Sequence, residues 1–392
     1  VPHYDYIIAG AGAAGLSLIY HLGQTQLRDR RILLIDPSTA RSNDRTWCFW
    51  ETQPGPFEAV VSRSWDHLWV ADAYGPVRMP IAPYRYKLIQ GIDFYRFVDD
   101  WIAARPNIER VTGTVDRFLE RDNGVAVQVN GEVYEASYAF SSIYRAEPPP
   151  RGYHHWLQHF KGWVITTPQP AFDPGAATFM DFRVPQYGDV RFGYVLPYNE
   201  RTALVEYTVF SAELESQQHY DAGLRQYLHE TLGISDYTIG HVEYGVIPMS
   251  DTPMTLRPSP HVLHIGTAAG MSKPSTGYTF QRIQRQSAQI VAQLLRDGTP
   301  FYQADPFSRH ALMDSVLLNV LAQGRIPGHE VFASLLRNNP IQRVLRFLDE
   351  QSRLHEDIGL MTTVYWPAFT AATLDVLLGR LTHRLSRRPV GR

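Results

Sequence analysis

Tyr6-Ile7-Ile8-Ala9-Gly10-Ala11-Gly12-Ala13-Ala14-Gly15 opens the chain, and Leu16 to Leu22 continues it at helical spacing. A second apolar run, Ile32-Leu33-Leu34-Ile35, ends in Asp36. The order is strand, glycine turn, helix, strand, acid, and each part has a physical task in holding a dinucleotide. Gly10 permits the tight turn, Gly12 lets the backbone approach a pyrophosphate, and Gly15 lets the helix pack on the strand. The free N–H groups and positive end of the helix face the phosphate charge. Asp36, about twenty residues past the last glycine, is placed to accept hydrogen bonds from a ribose diol. Its charge would repel a 2′-phosphate, so the stretch predicts FAD or NAD rather than NADP.

A second glycine-rich turn lies far downstream. The strand-like run Val262-Leu263-His264-Ile265 leads into Gly266-Thr267-Ala268-Ala269-Gly270. After Lys273-Pro274-Ser275-Thr276-Gly277, a helix is expected through Gln281, Gln284, Ile290 and Leu294. A simple NAD dehydrogenase completes its parallel sheet early, whereas these two turns stand about 250 residues apart. That separation suits a flavin, whose ring lies far from its adenine and needs a second helix N-terminus beneath it. Gly266, Gly270 and Gly277 therefore join Gly10, Gly12, Gly15 and Asp36 as candidate FAD-binding residues.

Between the turns the pattern changes. Tyr84 to Ile89 is strand-like, and Gly91-Ile92-Asp93 opens a helix with Phe94, Phe97, Val98, Trp101 and Ile102 on one face. Short alternating strands run from Ile108 to Tyr138, with a turn at Asp122-Asn123-Gly124. Pro148-Pro149-Pro150 breaks the chain and marks a crossover. Trp163 to Thr167, Ala177 to Phe182, Arg191 to Leu196 and Thr202 to Phe210 predict a mostly antiparallel sheet, and His219 to Leu232 a helix. Everything beyond about Phe301 reads as helical. The expected fold is α/β. A Rossmann-like FAD domain comprises residues 1–150, interrupted at about 52–83, and closes with 251–300. An antiparallel-sheet substrate domain occupies 151–250, and a helical region 301–392.

The formal charge of -2 gives no support for a nucleic-acid partner. Cys48 is the only cysteine, which excludes an internal disulfide and makes a reducing cytosol the default compartment. No signal peptide is recognised, and no metal site is expected. Aromatic residues reach 12%, and clusters such as Trp47-Cys48-Phe49-Trp50 and Tyr153-His154-His155-Trp156 fit either an aromatic-lined cavity or ordinary core packing.

Four stretches carry a resemblance to the lycopene cyclase family, within the flavoproteins shaped like aromatic hydroxylases. The first glycine turn is shared with most flavoproteins. Asn43-Asp44-Arg45-Thr46-Trp47-Cys48-Phe49-Trp50 is similar to the Thr-Trp-(Ser/Cys)-Phe signature of bacterial lycopene cyclases. Met180-Asp181, Tyr194-Val195-Leu196-Pro197 and Leu204-Val205-Glu206-Tyr207-Thr208 follow the order of the family's acidic segment. Pro274-Ser275-Thr276-Gly277-Tyr278 resembles its flavin-proximal Pro-Thr-Thr-Gly-Tyr. There are two departures. The Gly-Asp of related hydroxylases is Gly266-Thr267 here, as in the cyclases, and the second acid of the acidic segment is replaced by Tyr207.

The resemblance implies an isomerase (intramolecular lyase) reaction, cyclisation of the linear ends of lycopene to β-rings. It implies FAD reduced by NAD(P)H, with no net oxidation or reduction of the substrate. Protonation of an alkene needs a strong acid in a dry cavity, and burial on an apolar strand would keep a carboxyl protonated near neutral pH. The resemblance gives that role to Glu206; the alternation of the strand equally allows Glu206 to face solvent. Asp181 is a candidate secondary acid or a structural carboxylate. Trp47, Phe49 and Trp50 are candidates to stabilise the cation with their ring faces, or core residues.

A substrate dissolved in lipid requires a membrane contact. The window from Thr362 to Leu378 is interrupted by Pro367 and Asp375, so no span is expected. Leu374, Val376, Leu377, Leu378, Leu381 and Leu385, with Arg380, Arg384, Arg387, Arg388 and Arg392, suit a helix lying on the anionic inner face of the membrane. The alternative is an amphipathic helix docked on the protein. A flavin-dependent hydroxylase, a polyprenyl reductase and a non-catalytic flavin- or lipid-binding protein are the other functional readings.

Overall fold

The computed structural model describes residues 2–303 and 308–386, with side chains as far as 382. The chain begins with β1 (His3–Ala9), α1 (Ala13–Gly23), β2 (Ile32–Asp36), β3 (Thr46–Glu51) and β4 (Arg63–Trp65). Next come β5 (His67–Asp72), β6 (Gly75–Pro80), β7 (Arg85–Gln90), α2 (Gly91–Ala103) and β8 (Ile108–Thr112). β9 (Val115–Arg121), β10 (Gly124–Val129) and β11 (Glu132–Ser141) lead across the proline run to β12 (His155–Thr166). β13 (Ala176–Asp181), β14 (Val190–Pro197), β15 (Thr202–Ser211), α3 (Gln217–Gln226) and β16 (Thr238–Ser250) follow. The remainder is β17 (Val262–His264), α4 (Phe280–Asp297), α5 (Arg309–Ala322), α6 (Gly328–Arg337), α7 (Ile341–Leu348), α8 (Leu354–Met361) and α9 (Trp366–Ser386).

In the first sheet β8, β2, β1 and β11 are parallel neighbours, and β17 pairs in parallel with the end of β11. Ile7, Ile8 and Ala9 are completely buried because both faces of this sheet are covered. On one face, Leu16 and Ile19 of α1 meet Ile283 and Ile290 of α4. On the other, Ile7, Leu33 and Ile35 cluster with Val125, Val127 and Val129 of β10, which with β9 continues the sheet antiparallel to β11. The two glycine turns are thereby brought to the same end of one sheet, although the second enters it last.

The second sheet has the order β16-β12-β15-β14-β13-β5-β6 and is antiparallel except between β13 and β5. Residues 67–80, expected as an interruption of the first domain, supply two strands of this sheet. β3, β7 and β4 form a small antiparallel sheet of their own. One face of the large sheet packs Trp163, Val205 and Tyr207 against Tyr220 and Leu224 of α3. The opposite face packs Phe179, Phe192 and Phe210 against Leu318, Phe332 and Leu345 of the C-terminal helices. Among the described residues no helix is long and apolar enough to cross a membrane.

Candidate active site

The first turn has the geometry expected of a pyrophosphate cradle. Gly10 has φ +109°, and a Cβ there would lie 2.0 Å from Ser142 Oγ. A Cβ on Gly15 would lie 2.0 Å from the Gly10 carbonyl oxygen, so helix and turn meet only through glycine. Gly12 is the opposite case: among the described residues nothing lies within 4 Å of its missing Cβ. The space above it is open, at the N-terminus of a helix whose first N–H groups lack helical partners. Those residues therefore fit a dinucleotide. The Asp36 carboxylate accepts from Ala11 N–H at 2.6 Å and Ser38 N–H at 3.0 Å, holding the turn, and each oxygen keeps a second lone pair. Arg41, which the sequence did not single out, braces the same turn by donating to the Ala11 carbonyl at 3.0 Å.

The second turn approaches the first. Gly266 has φ +60°, its N–H donates to Gln286 Oε1 at 2.8 Å, and a Cβ there would lie 2.6 Å from that of Ala14. Gly270 and Gly277 also have positive φ, +74° and +71°. Gly277 closes against Gln158 of the second sheet, whose Oε1 would be 2.3 Å from an added Cβ. The loop between them is pinned by buried Lys273, which donates to both oxygens of Asp314 at 2.8 and 2.9 Å and to Glu350 at 3.2 Å. Lys273 and two arginines near Glu350 pull its carboxyl down to about 2, against the cost of burial.

A cavity of about 420 Å³ runs from Gly12 and Ala14, past Thr276 and Gly277, to Glu206 on β15. Glu206 is 9% exposed, so its carboxyl is internal. Strand alternation explains its direction. Glu206 pairs with Gly162 of β12 and Tyr194 of β14, on the face that carries the cavity. Burial and the facing carboxyl of Glu243 hold the Glu206 carboxyl well above the usual carboxylate range. Tyr207 belongs to the other face: its ring packs on Gly223 of α3 and its hydroxyl accepts from Arg191 at 3.4 Å. A second acid at position 207 would point away from this cavity.

The remaining candidates divide between the cavity and the core. Asp181 pairs across β14 with Gly193, on the α3 face, and its carboxylate is occupied by Arg183 at 2.6 Å and Tyr227 at 2.9 Å. It does not reach the Glu206 cavity. Of the three aromatics of β3, Trp47 lines the cavity, whereas Phe49 stacks on Phe280 at 4.9 Å and Trp50 donates to the Leu345 carbonyl at 3.1 Å in the core. The rings that do line the cavity include Tyr86, Phe160, Tyr194 and Tyr278, which sequence reasoning did not identify. They come from two sheets and a loop, so no local run of sequence collects them.

At the C-terminus, Leu374, Leu377, Leu378 and Leu381 are exposed on α9, whereas Val376 is buried. Arg380 turns inward, donating to Asp251 at 3.2 Å and lying over the Tyr153 ring. The side chains of Arg384 and Leu385, and residues Arg387, Arg388 and Arg392, lie outside the described residues.

Comparison with known proteins agrees with this geometry. A family model described as lycopene cyclase protein matches residues 5–375. A lycopene beta-cyclase of Pantoea ananas is 27% identical over 312 residues, covering 71% of this chain and 72% of the relative. One from Pseudescherichia vulneris is 25% identical over 311 residues, covering 76% of each. Among solved structures, a flavoprotein/dehydrogenase from Cytophaga hutchinsonii superposes with a TM-score of 0.64 at 8% identity, covering 96% of this chain and all of that one. The halogenase PltM, solved with phloroglucinol and FAD, has a TM-score of 0.56 at 13% identity, over 98% and 93% of the two chains. The fold is that of the FAD-dependent oxidoreductases, monooxygenases and halogenases, and the chain belongs to the lycopene cyclase family.

Proposed function

We propose that this chain is a lycopene β-cyclase that works with bound FAD at a membrane surface. The observation that carries the reading is Glu206, a buried carboxyl facing the same cavity as the glycine turn and the N-terminus of α1. Gly10, Gly12, Gly15 and α1 would hold the pyrophosphate, with Asp36 toward the ribose. Gly266, Gly270, Gly277 and the start of α4 would hold the flavin end. When bound and reduced, with NAD(P)H as the reductant, FAD would supply negative charge to a water-poor site without net redox change.

The Glu206 O–H protonates the terminal double bond of the substrate, and the next double bond closes the ring on the tertiary cation. Loss of a second proton sets the ring alkene, so no proton is consumed overall. Tyr194, Trp47, Phe160 and Tyr278 present aromatic rings around this position, each worth about 0.5–2 kcal/mol to a desolvated cation. Leu196, Ile247 and Pro248 exclude water from the same cavity.

The rest of an apolar substrate also needs room. A second cavity of about 310 Å³, lined by Leu317, Phe332, Leu335, Phe347, Trp366 and Phe369, shares Thr276 in its wall with the first. Trp366 and Tyr365 beside it are 68% and 62% exposed, next to the exposed leucines of α9. A polyene drawn from lipid past α9 would have its apolar chain beside the wall that Thr276 shares with the acid's cavity. Anaerobic incubation with lycopene, FAD and NAD(P)H tests the function. A cyclised isomer of unchanged mass is expected. An oxygenated or saturated product formed with stoichiometric NAD(P)H consumption would replace this reading with a hydroxylase or a reductase.

A further inference from the structure

Glu206 does not stand alone on its sheet. β12 lies between β15 and β16, and its Gly162 pairs with Glu206 on one side and with Glu243 on the other. A Cβ on Gly162 would lie 2.9 Å from Glu206 Cγ and 3.1 Å from Glu243 Cγ. The missing side chain opens a notch on which the two acidic side chains converge from either side.

Their surroundings differ. Glu243 is 3% exposed, and its Oε2 accepts from the Thr46 hydroxyl at 2.7 Å. Its Oε1 is buried, and among the described residues no donor reaches it. A buried acceptor left unpaired is costly, and two carboxylates in contact repel strongly. One proton between the groups removes both penalties. Thr46 occupies Oε2 and leaves Oε1 of Glu243 as the acceptor for a proton carried by Glu206, the member that faces the cavity.

We propose that Glu243 is the positioning residue for the acid: a carboxylate fixed by Thr46 that holds the proton on Glu206 across the Gly162 notch. This rests on the reading of Glu206 as the proton donor. In the reaction the Glu206 O–H bond breaks as the substrate C–H bond forms, leaving two carboxylates side by side. That doubly charged pair takes back the proton released when the ring alkene forms, so one proton leaves the pair and one returns, with no electrons exchanged. The other titratable groups facing the pair are Cys48 on β3, Tyr86 on β7, Tyr194 on β14, Tyr198 beyond it and Tyr278 of the 272–279 loop. Burial pushes the Cys48 thiol and these phenols up, so all remain neutral. Asp44 and Arg45, which line the same cavity, pair with each other at 3.0 Å.

The test is the pH profile of cyclisation by the full-length FAD-loaded protein, in parent, Glu243→Gln and Thr46→Val. Removing the charge of Glu243 should move the alkaline limb to lower pH by about one to two units. Removing the Thr46 donor raises the proton affinity of the pair and should move the limb the other way. A uniform fall at every pH in Glu243→Gln, with the limb unmoved, would overturn the proposal and leave Glu243 a structural residue. Should Glu243→Gln fail to fold, the direction of the limb in Thr46→Val decides alone. Difference infrared spectroscopy reads the pair without turnover. A protonated-carboxyl band that persists above neutral pH in the parent should vanish in Glu206→Gln and titrate at lower pH in Glu243→Gln. If the parent shows the band yet converts no lycopene, the pairing stands and the functional reading falls. If the parent converts lycopene without such a band, the pairing falls and the function stands.

Discussion

Glu206 and Tyr207 are neighbours in sequence that point to opposite faces of one sheet, and that alternation decides which can act on a substrate. Glu206→Gln preserves size and hydrogen bonding but removes the carboxylic proton. It opens no cavity and lies away from the glycine turn, so folding and FAD content should survive. Cyclisation should fall by at least about a hundredfold, the usual scale of a lost general acid. Glu206→Asp should keep a little activity, because the proton remains but sits one methylene too far away. Tyr207→Phe should cyclise close to the parental rate, since only a 3.4 Å contact with Arg191 is lost on the far face. Product analysis by chromatography checks all three. Near-parental turnover by the Gln variant would require another proton source. Asp181 and Glu51 are poor substitutes, Asp181 for the reasons above and Glu51 because Lys87 at 2.8 Å and Gln281 at 3.0 Å already hold it.

The turn between β1 and α1 separates glycines needed by the fold from one free for a ligand. Gly12 has ordinary backbone angles, φ -84° and ψ -167°, and open space where a side chain would go. Gly12→Val should therefore fold and melt like the parent while losing bound flavin, read as the ratio of flavin to protein absorbance. Gly15→Val should lose both, because a branched side chain would meet the Gly10 carbonyl. A fully yellow Gly12→Val protein would remove the pyrophosphate assignment. β16 carries the opposite lesson about legibility. As an edge strand it exposes Ile239, Val242, Tyr244 and Val246 and turns Glu243 inward, 3% exposed. An alternation rule that sends apolar residues inward orients this strand backwards, which is why Glu243 was not found from sequence.

At the scale of the molecule, the helices α5–α9 cover the second sheet and leave an apolar rim. Leu377 and Leu378 of α9 are 45% and 60% exposed, too open to matter for the core. Burying a leucine in an apolar phase is worth roughly 1.5–3 kcal/mol. A Leu377→Ser, Leu378→Ser double variant should keep its melting temperature and bind lipid vesicles at least about tenfold more weakly. Co-sedimentation measures this, and unchanged binding would leave α9 as a helix docked on the protein. Because Arg380 is held by Asp251, it adds nothing to any salt dependence of that binding.

What the sequence determined by itself is local and periodic. The glycine turns, the helices α1, α2 and α4, the strands β14 and β15 and the last residues of β12 follow from spacing that each segment carries internally. Such patterns survive any tertiary arrangement, because backbone sterics and one buried face suffice to specify them. Only the tertiary structure decided which face each strand turns to the cavity, and therefore that Asp181 lies behind the sheet while Glu206 lies before it. It also decided that residues 67–80 join a sheet whose other strands begin at 155, and that Phe49 and Trp50 belong to the core. Above all it brought Thr46, Gly162, Glu206 and Glu243 together from β3, β12, β15 and β16. Cross-strand pairing is a contact between distant segments, fixed by register and packing, and no single segment records its partner.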